Sequence, residues 1–355
     1  MFEDQLRAWD GEEVVVRFDA PSAAWMFVAI HSTVLGPAAG GTRMKSYTSP
    51  DLALQDALRL STAMTSKDAM AGLPLGGGKC VLAVPEIPSG EARRQLLLRY
   101  ADLLESLHGT YRTACDMNTR SEDMDVIAER CSFVFGRTEA AGGSGTSAPA
   151  TAVGVFHGLR AAVAHAFGSD ELSGRSVAIQ GVGAVGEPLA RMLAEAGARL
   201  RLADVDDVRA KELAAELDAD HVGPEAILET ECDVLSPCAT GGVLNAETIP
   251  ALRCRVIAGA ANNQLGEPGD ADRLAGRGIV YAPDYVVNAG GIIHLAALEL
   301  LGEDQARLQE RLEGIGETTR EVLDLAAERG VSTGAAADAI VERRLAVGPA
   351  AGRGT

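Results

Sequence analysis

Ser176–Asp204 constrains the fold more than any other stretch of the 355-residue chain. Ser176–Gln180 reads as a short apolar strand. Gly181, Gly183 and Gly186 follow in GxGxxG spacing, with Ala184 and Val185 completing the turn. A helix then runs to Ala196, Gly197 stops it, and Arg199–Ala203 forms the next strand, ending in Asp204, 18 residues after Gly186. Three glycines alone mean little; between a strand and a helix, with an acid at the next strand end, they form a dinucleotide fingerprint. The first glycine makes the turn. The second lets backbone approach a pyrophosphate, and the third lets helix and strand pack closely. The helix N-terminus offers positive potential to phosphate. Asp204 suits ribose hydroxyls and repels a 2′-phosphate, so the expected cofactor is NAD rather than NADP.

Around this segment the pattern is α/β. Val14–Phe18 and Trp25–Ile30 read as strands. Gly36–Gly41 reads as a loop exposing backbone. Ser49 caps a helix with Pro50 at its first position, ending near Thr65. Cys80–Val84 is a buried strand, Gly90–Leu107 an amphipathic helix, Tyr111–Cys115 a strand and Ser121–Glu129 a helix. Ala141–Pro149 is a glycine- and serine-rich linker or hinge. After a helix from Thr151 to Gly168 come the fingerprint and further short strands at Cys232–Ser236, Val256–Ala258 and Ile279–Tyr281. That makes a doubly wound parallel sheet. The chain then reads as helical from Asn288 to about Val347, with a loose tail Gly348–Thr355.

Composition sets limits. A formal charge of −18, from 50 acidic and 32 basic residues, argues against nucleic acid and anionic membrane as partners. No stretch is apolar enough to span a bilayer. Met1–Glu13 lacks a leader pattern, and six cysteines form no CxxC pair, so a cytoplasmic protein with reduced thiols is expected. The histidines have no metal-ligand spacing, and no metal is expected.

Only four of the basic residues are lysines: Lys45, Lys67, Lys79 and Lys211. Arginine serves elsewhere, so lysine should persist where its amine must lose a proton. Lys67 and Lys79 lie 12 residues apart beside a glycine run. The sequence Leu73–Lys79 lacks the spacing of a phosphate loop. It reads instead as a lysine presented by flexible backbone, and two cations together suit an anionic substrate and a lowered amine pKa. Asp116 follows a strand, where it serves either as a loop or capping aspartate or as a proton shuttle. Asp123 and Asp125 read as a helix's acidic first turn. Asn262 and Asn288 lie at strand carboxyl ends, where such sheets bind ligands.

Eight stretches together resemble the glutamate/leucine/phenylalanine/valine dehydrogenases: Gly36–Arg43 (GPAAGGTR), Met64–Lys67, Gly76–Lys79, Cys115–Thr119, Gly181–Gly186, Pro237–Gly242, Ala258–Gln264 and Tyr281–Gly291. The resemblance runs from about Ala29 to Gly302. It implies an N-terminal α/β substrate domain over residues 1–140 and a Rossmann-type NAD domain over 141–328. A cleft would lie between them, and a C-terminal helix, about 329–355, would return to the first domain. It implies that Lys67 holds the substrate carboxylate with backbone near Gly40 and Gly41, that Lys79 activates water, and that Asp116 exchanges a proton with the amine. Asn262 and Asn288 would line the nicotinamide and substrate site, with Thr151 and Ala239 near the cofactor. The implied reaction takes an L-amino acid, NAD and water to a 2-oxo acid, ammonium and NADH. Homo-oligomers are expected.

Substrate signals are mixed. Asn118 stands where leucine and valine members usually have glycine, and Asp116–Thr119 resembles phenylalanine members. Ala63–Gly78 and Ala260–Gln264 look like the valine branch. Ala39 stands where many members carry leucine against the side-chain pocket, which makes room for a larger side chain. A bulky apolar amino acid such as phenylalanine is expected, with leucine or valine as the alternative. A silent NAD-binding sensor and a hydroxy-acid dehydrogenase fit Lys67, Lys79 and Asp116 less well.

Overall fold

The computed structural model describes residues 2–348. Met1 and, of the expected tail and returning helix, residues 349–355 lie outside the described residues. The chain divides into two compact units. One holds residues 2–146, 298–302 and 343–348; the other holds Ser147–Ala297 and Glu303–Glu342. The division falls inside the glycine- and serine-rich stretch Ala141–Pro149.

The first unit opens with α1 (Phe2–Ala8), β1 (Glu13–Asp19), β2 (Ala24–Ser32), β3 (Ala38–Lys45) and α2 (Pro50–Met70). It continues with β4 (Gly76–Ala83), α3 (Gly90–Glu105), β5 (Tyr111–Cys115) and α4 (Ser121–Ala128). Its sheet has the order β1-β2-β4-β3-β5, parallel across β4-β3-β5 and antiparallel at β1-β2-β4. Alternation along the strands serves two apolar faces. Met26, Val28, Cys80 and Leu82 meet Leu96, Leu97, Tyr100 and Leu104 of α3. Phe27, Ala29 and Val81 meet Leu54, Ala57 and Leu58 of α2.

Three sequence expectations change here. The Gly36–Gly41 stretch is not a loop throughout, because from Ala38 it is the inner strand β3. The glycines before Lys79 are not flexible backbone; Gly76–Gly78 begin β4 and are buried. Helix α2 does start as read, the Ser49 hydroxyl accepting the Leu52 N–H at 3.4 Å, but it runs past Thr65 to Met70. Lys67 is therefore helical. Glycine in these strands is set by packing, not by turns. A Cβ on Gly77 would overlap the backbone of Thr65 on α2, and one on Gly41 would come 2.7 Å from the Asp116 Cβ.

The second unit begins with α5 (Ala148–Phe167), β6 (Ser176–Gln180), α6 (Gly186–Glu195), β7 (Arg199–Ala203), α7 (Asp207–Glu216) and β8 (Asp220–His221). Then come β9 (Val234–Pro237), β10 (Val256–Ile257), α8 (Asp270–Gly276), β11 (Val280–Tyr281), α9 (Asp284–Val287) and α10 (Gly290–Leu295). All six strands are parallel, in the order β11-β10-β9-β6-β7-β8. That is the doubly wound dinucleotide-binding order, with its switch point between β6 and β9. Val177, Ile179, Leu200 and Leu202 pack with α5 and α6 through Val155, Leu159, Leu189 and Leu193. The two-residue strand β8 carries too few apolar residues to be read from sequence. The segment after Asn288 is not one helical run. A π-helical turn, Ala296–Leu300, follows α10, and Gly302 at φ 64° breaks the chain before α11 (Gln305–Arg329). Gly330 at φ 65° then separates α11 from α12 (Thr333–Val347).

Candidate active site

The catalytic candidates of the first unit share one sheet face. Arg43 on β3 is level with Val81 on β4. Gly77, Lys79 and Val81 alternate onto the face that α2 covers. Lys79 is 5% exposed. Its Nζ lies 3.1 Å from Oδ2 of Asp116, which follows β5 directly. The same Oδ2 accepts the Arg43 Nε–H at 2.8 Å. No group among the described residues bonds Oδ1, which leaves that oxygen as the acceptor available to a substrate. Asp116 is fixed from behind: its backbone N–H donates to the Thr119 hydroxyl at 2.9 Å, and that hydroxyl donates to the Thr42 carbonyl.

The charges shift one another. Burial pulls the Lys79 amine below its ordinary range, Asp116 opposes this, and the nearby Arg43 cation reinforces it. Burial raises Asp116, but Lys79 and Arg43 outweigh it and hold the carboxylate at about 2. The pair is thus a buried amine whose pKa is lowered, beside a carboxylate that stays ionised.

The other expected substrate residues sit nearby in the fold. Gly40 and Gly41 are interior to β3, and the Gly40 carbonyl accepts the Tyr111 hydroxyl at 2.6 Å. Ala39 is fully buried, paired in register with Gly77 and Arg112. Lys67 is in the last turn of α2 and half-buried. Asn118 has φ 61°, and its amide donates to the Met44 carbonyl at 3.0 Å, so its side chain shapes the turn after Asp116. Asp123 caps α4 through the Arg120 N–H and pairs with Arg93; Asp125 accepts from Thr138. Both are structural.

In the second unit the glycine turn lies at the carboxyl end of β6. Gly181 has φ 94°, and a Cβ there would lie 2.7 Å from that of Ala239. Gly183 faces open space, the Arg209 Nη1 being 4.0 Å from where its Cβ would be. A Cβ on Gly186 would overlap the Gly181 carbonyl, so α6 and the turn meet only with glycine present. Ala184 and Val185 carry the turn into α6. The Asp204 Oδ2 accepts the Val182 N–H at 2.8 Å, and its Oδ1 accepts the Asp206 N–H at 2.9 Å. Thr151 sits in the first turn of α5, its hydroxyl donating to the Ser147 carbonyl, and Gly291 has room only for hydrogen beside that hydroxyl. Asn288 Nδ2 donates to Asn262 Oδ1 at 3.0 Å and to the Ala260 carbonyl at 3.1 Å. Asn288 Oδ1 is buried with no hydrogen-bond partner among the described residues. An orphaned acceptor of this kind calls for a donor from a ligand. A glycine turn open at its middle residue, an acid at the next strand end and an unpaired amide oxygen fit a dinucleotide carrying a carboxamide.

The chain matches the family described as Glu/Leu/Phe/Val dehydrogenase, dimerisation domain, over residues 20–133. It matches Glutamate/Leucine/Phenylalanine/Valine dehydrogenase over residues 142–208 and 201–347. It belongs to this dehydrogenase family. A leucine dehydrogenase from Thermoactinomyces intermedius is 43% identical over 343 residues, covering 96% of this chain and 93% of that protein. A valine dehydrogenase from Streptomyces albus is 44% identical over 343 residues, covering 94% and 92%. The crystal structure of L-tryptophan dehydrogenase from Nostoc punctiforme is 38% identical with a TM-score of 0.84, covering 98% of this chain and 99% of that one. Among the described residues no helix is long and apolar enough to cross a membrane.

Sequence reasoning missed two members of this dehydrogenase's buried charge network, Arg43 and Asp56. Arg43 ends the GPAAGGTR stretch, and the parallel register of β3 with β5 is the signal that could have placed it near Asp116. Asp56 reads only as an ordinary acid on a helix; nothing but the docking of α2 reveals its partner.

Proposed function

We propose that the chain catalyses NAD-dependent, reversible oxidative deamination of an L-amino acid with a bulky apolar side chain, phenylalanine favoured. The products are the 2-oxo acid, ammonium, NADH and a proton. The observation that carries this reading is the buried Lys79–Asp116 pair, an amine 3.1 Å from a carboxylate fixed by Arg43 and Thr119. Gly181, Gly183, Gly186 and Asp204 would hold the cofactor's diphosphate and ribose, with Ala184, Val185, Thr151 and Ala239 beside them. Asn262 and Asn288 would hold the carboxamide end. NAD supplies the hydride acceptor when bound.

The chain's own residues do the rest. Lys67 pairs with the substrate carboxylate, helped by backbone at Gly40 and Gly41. Asp116, through Oδ1, takes and returns a proton at the substrate nitrogen. Once Cα has given up its hydride, neutral Lys79 accepts a proton from the water that adds to Cα of the resulting iminium, then returns it as the carbinolamine collapses to the oxo acid and ammonium. Because Lys79 must be neutral, kcat/KM rises with pH as its amine deprotonates. Asp204 favours NAD by repelling a 2′-phosphate. The relatives' dimerisation domain supports a homo-oligomer. Residues 1–140 are read as the substrate-binding and catalytic part, 141–328 as the cofactor part, and the reaction is assigned to the cytoplasm.

The second reading is a branched-chain dehydrogenase, favoured by the leucine and valine dehydrogenases at 43–44% identity. Reduction of NAD by a panel of L-amino acids, compared by kcat/KM, decides between the two. Aromatic preference upholds the first reading and branched-chain preference the second. Silence with every amino acid would refute both. Ala39→Leu adds about three carbons on the α2 face of β3, where a bulky side chain would need room. It should move the ratio of kcat/KM toward valine and leucine on the order of tenfold; an unchanged ratio would remove Ala39 from the pocket.

A further inference from the structure

The Lys79–Asp116 pair is the inner end of a longer chain of charge. Arg43 reaches Asp116 with Nε at 2.8 Å and Asp56 with Nη1 at 2.9 Å. The Asp56 Oδ2 also accepts the Tyr47 hydroxyl at 2.7 Å, and its Oδ1 accepts from Arg59 at 2.9 Å. Signs alternate from Asp56 through Arg43 and Asp116 to Lys79. The side chains of Arg43 and Asp56 are each 15% exposed, so solvent screens them poorly. Both reach Lys79 through space and through Asp116.

We propose that Arg43 and Asp56 are positioning residues that together set the charge state of Lys79 and fix the Asp116 carboxylate by its Oδ2. Arg43 is the clamp. Asp56 is its counterweight, cancelling part of the Arg43 field at the amine while fixing the guanidinium so that one arm stays on Asp116. The assignment rests on the dehydrogenase reading above and deepens it.

The elements around Lys79 offer few competing charges. From β3 it faces Arg43, from the segment after β5 Asp116, and from α2 Asp56. Tyr47 and Arg59 act on Asp56. On β2, His31 bonds the Thr65 hydroxyl at 2.8 Å and Asp10 at 3.0 Å. Lys67 and Asp68 lie further along α2. Cys80, Tyr100 and Tyr111 belong to the opposite face of the sheet. Among these, Arg43 lowers the Lys79 amine and Asp56 raises it.

The two residues therefore make opposite predictions, which damage to packing cannot imitate. Arg43→Gln removes a cation, so the midpoint for Lys79 deprotonation and the rising limb of kcat/KM move to higher pH. Asp56→Asn removes an anion, so both move to lower pH. The double variant removes one charge of each sign and brings both back toward the unmodified enzyme. Arg43→Lys keeps the cation and restores the limb if Arg43→Gln folds poorly. The midpoint can be read without turnover: with only four lysines, protein carrying 13C at lysine Cε gives four signals, and Lys79→Ala assigns the one of interest. Opposed shifts that cancel in the double variant uphold the proposal. Shifts of one sign in both single variants, or none, overturn it. If the signal shifts as stated but no amino acid reduces NAD, the charge chain stands and the dehydrogenase reading falls.

Discussion

Asp68 is the residue in this chain most at odds with its surroundings. It lies on α2 next to Lys67, fully buried, and neither carboxylate oxygen has a hydrogen-bond partner among the described residues. Burial pushes its carboxyl well above the ordinary value of 3.8, and Lys67 only partly opposes this. A raised folded pKa has a definite sign: the group costs nothing below the unfolded pKa and destabilises progressively as pH rises toward the folded one. Asp68→Asn keeps the shape and removes the ionisation. It should stabilise the protein by about 1–3 kcal/mol at pH 7. Urea unfolding at pH 7 and at pH 3.5 checks this, the gain being expected at the first and absent at the second. Asp116 has the opposite sign. Its folded value of about 2 against 3.8 gives stability that is present at neutral pH and lost as pH falls through about 2. Of the two only Asp116 was legible in the sequence, because its neighbours form a motif. Asp68 differs from a surface aspartate only through the packing of α2.

At the scale of elements, the site depends on how closely α2 lies on β4. Gly77 makes that contact, since any Cβ there would overlap the Thr65 backbone. Gly77→Ala should push α2 away, carrying Asp56 and Lys67 with it, at a cost of about 1–3 kcal/mol. Thermal unfolding should show the loss, and kcat/KM should fall further than stability alone explains. A variant with unchanged melting and unchanged rate would mean that α2 is not seated by this glycine. Strands such as Tyr111–Cys115, Ser176–Gln180 and Arg199–Ala203 were legible residue for residue, because β-branched and apolar runs were bounded by clear breakers. Gly36–Gly41 and Gly76–Gly78 read as loop or flexible backbone for the converse reason. Glycine normally signals a loop, and its use inside a strand reflects crowding by another element, which no local pattern records. The end of α2 is not legible because Lys67 and Asp68 break the apolar period, although the helix continues to Met70.

At the scale of the molecule, the two sets of candidate residues stand on separate units. The buried amine–carboxylate pair belongs wholly to the first unit, and the glycine turn, Asp204 and Asn288 belong to the second. The division at Thr146 means that each set is built on its own sheet and core. Binding and turnover should then come apart under mutation. Lys79→Ala removes an amine of the first unit, and the glycine turn belongs to the second. It should leave NADH affinity within about twofold by fluorescence titration, while kcat falls by about 10²–10⁴. At a hundredfold excess over Kd, NADH should stabilise the variant and the unmodified enzyme alike, by about 2.7 kcal/mol. Hydrogen exchange should show where that energy enters, with slowing centred on Gly181–Gly186 and Ala258–Gln264 in both proteins. A variant that turns over normally would take the proton-transfer role from Lys79. One that loses NADH binding together with turnover would show that the two units do not hold their tasks separately.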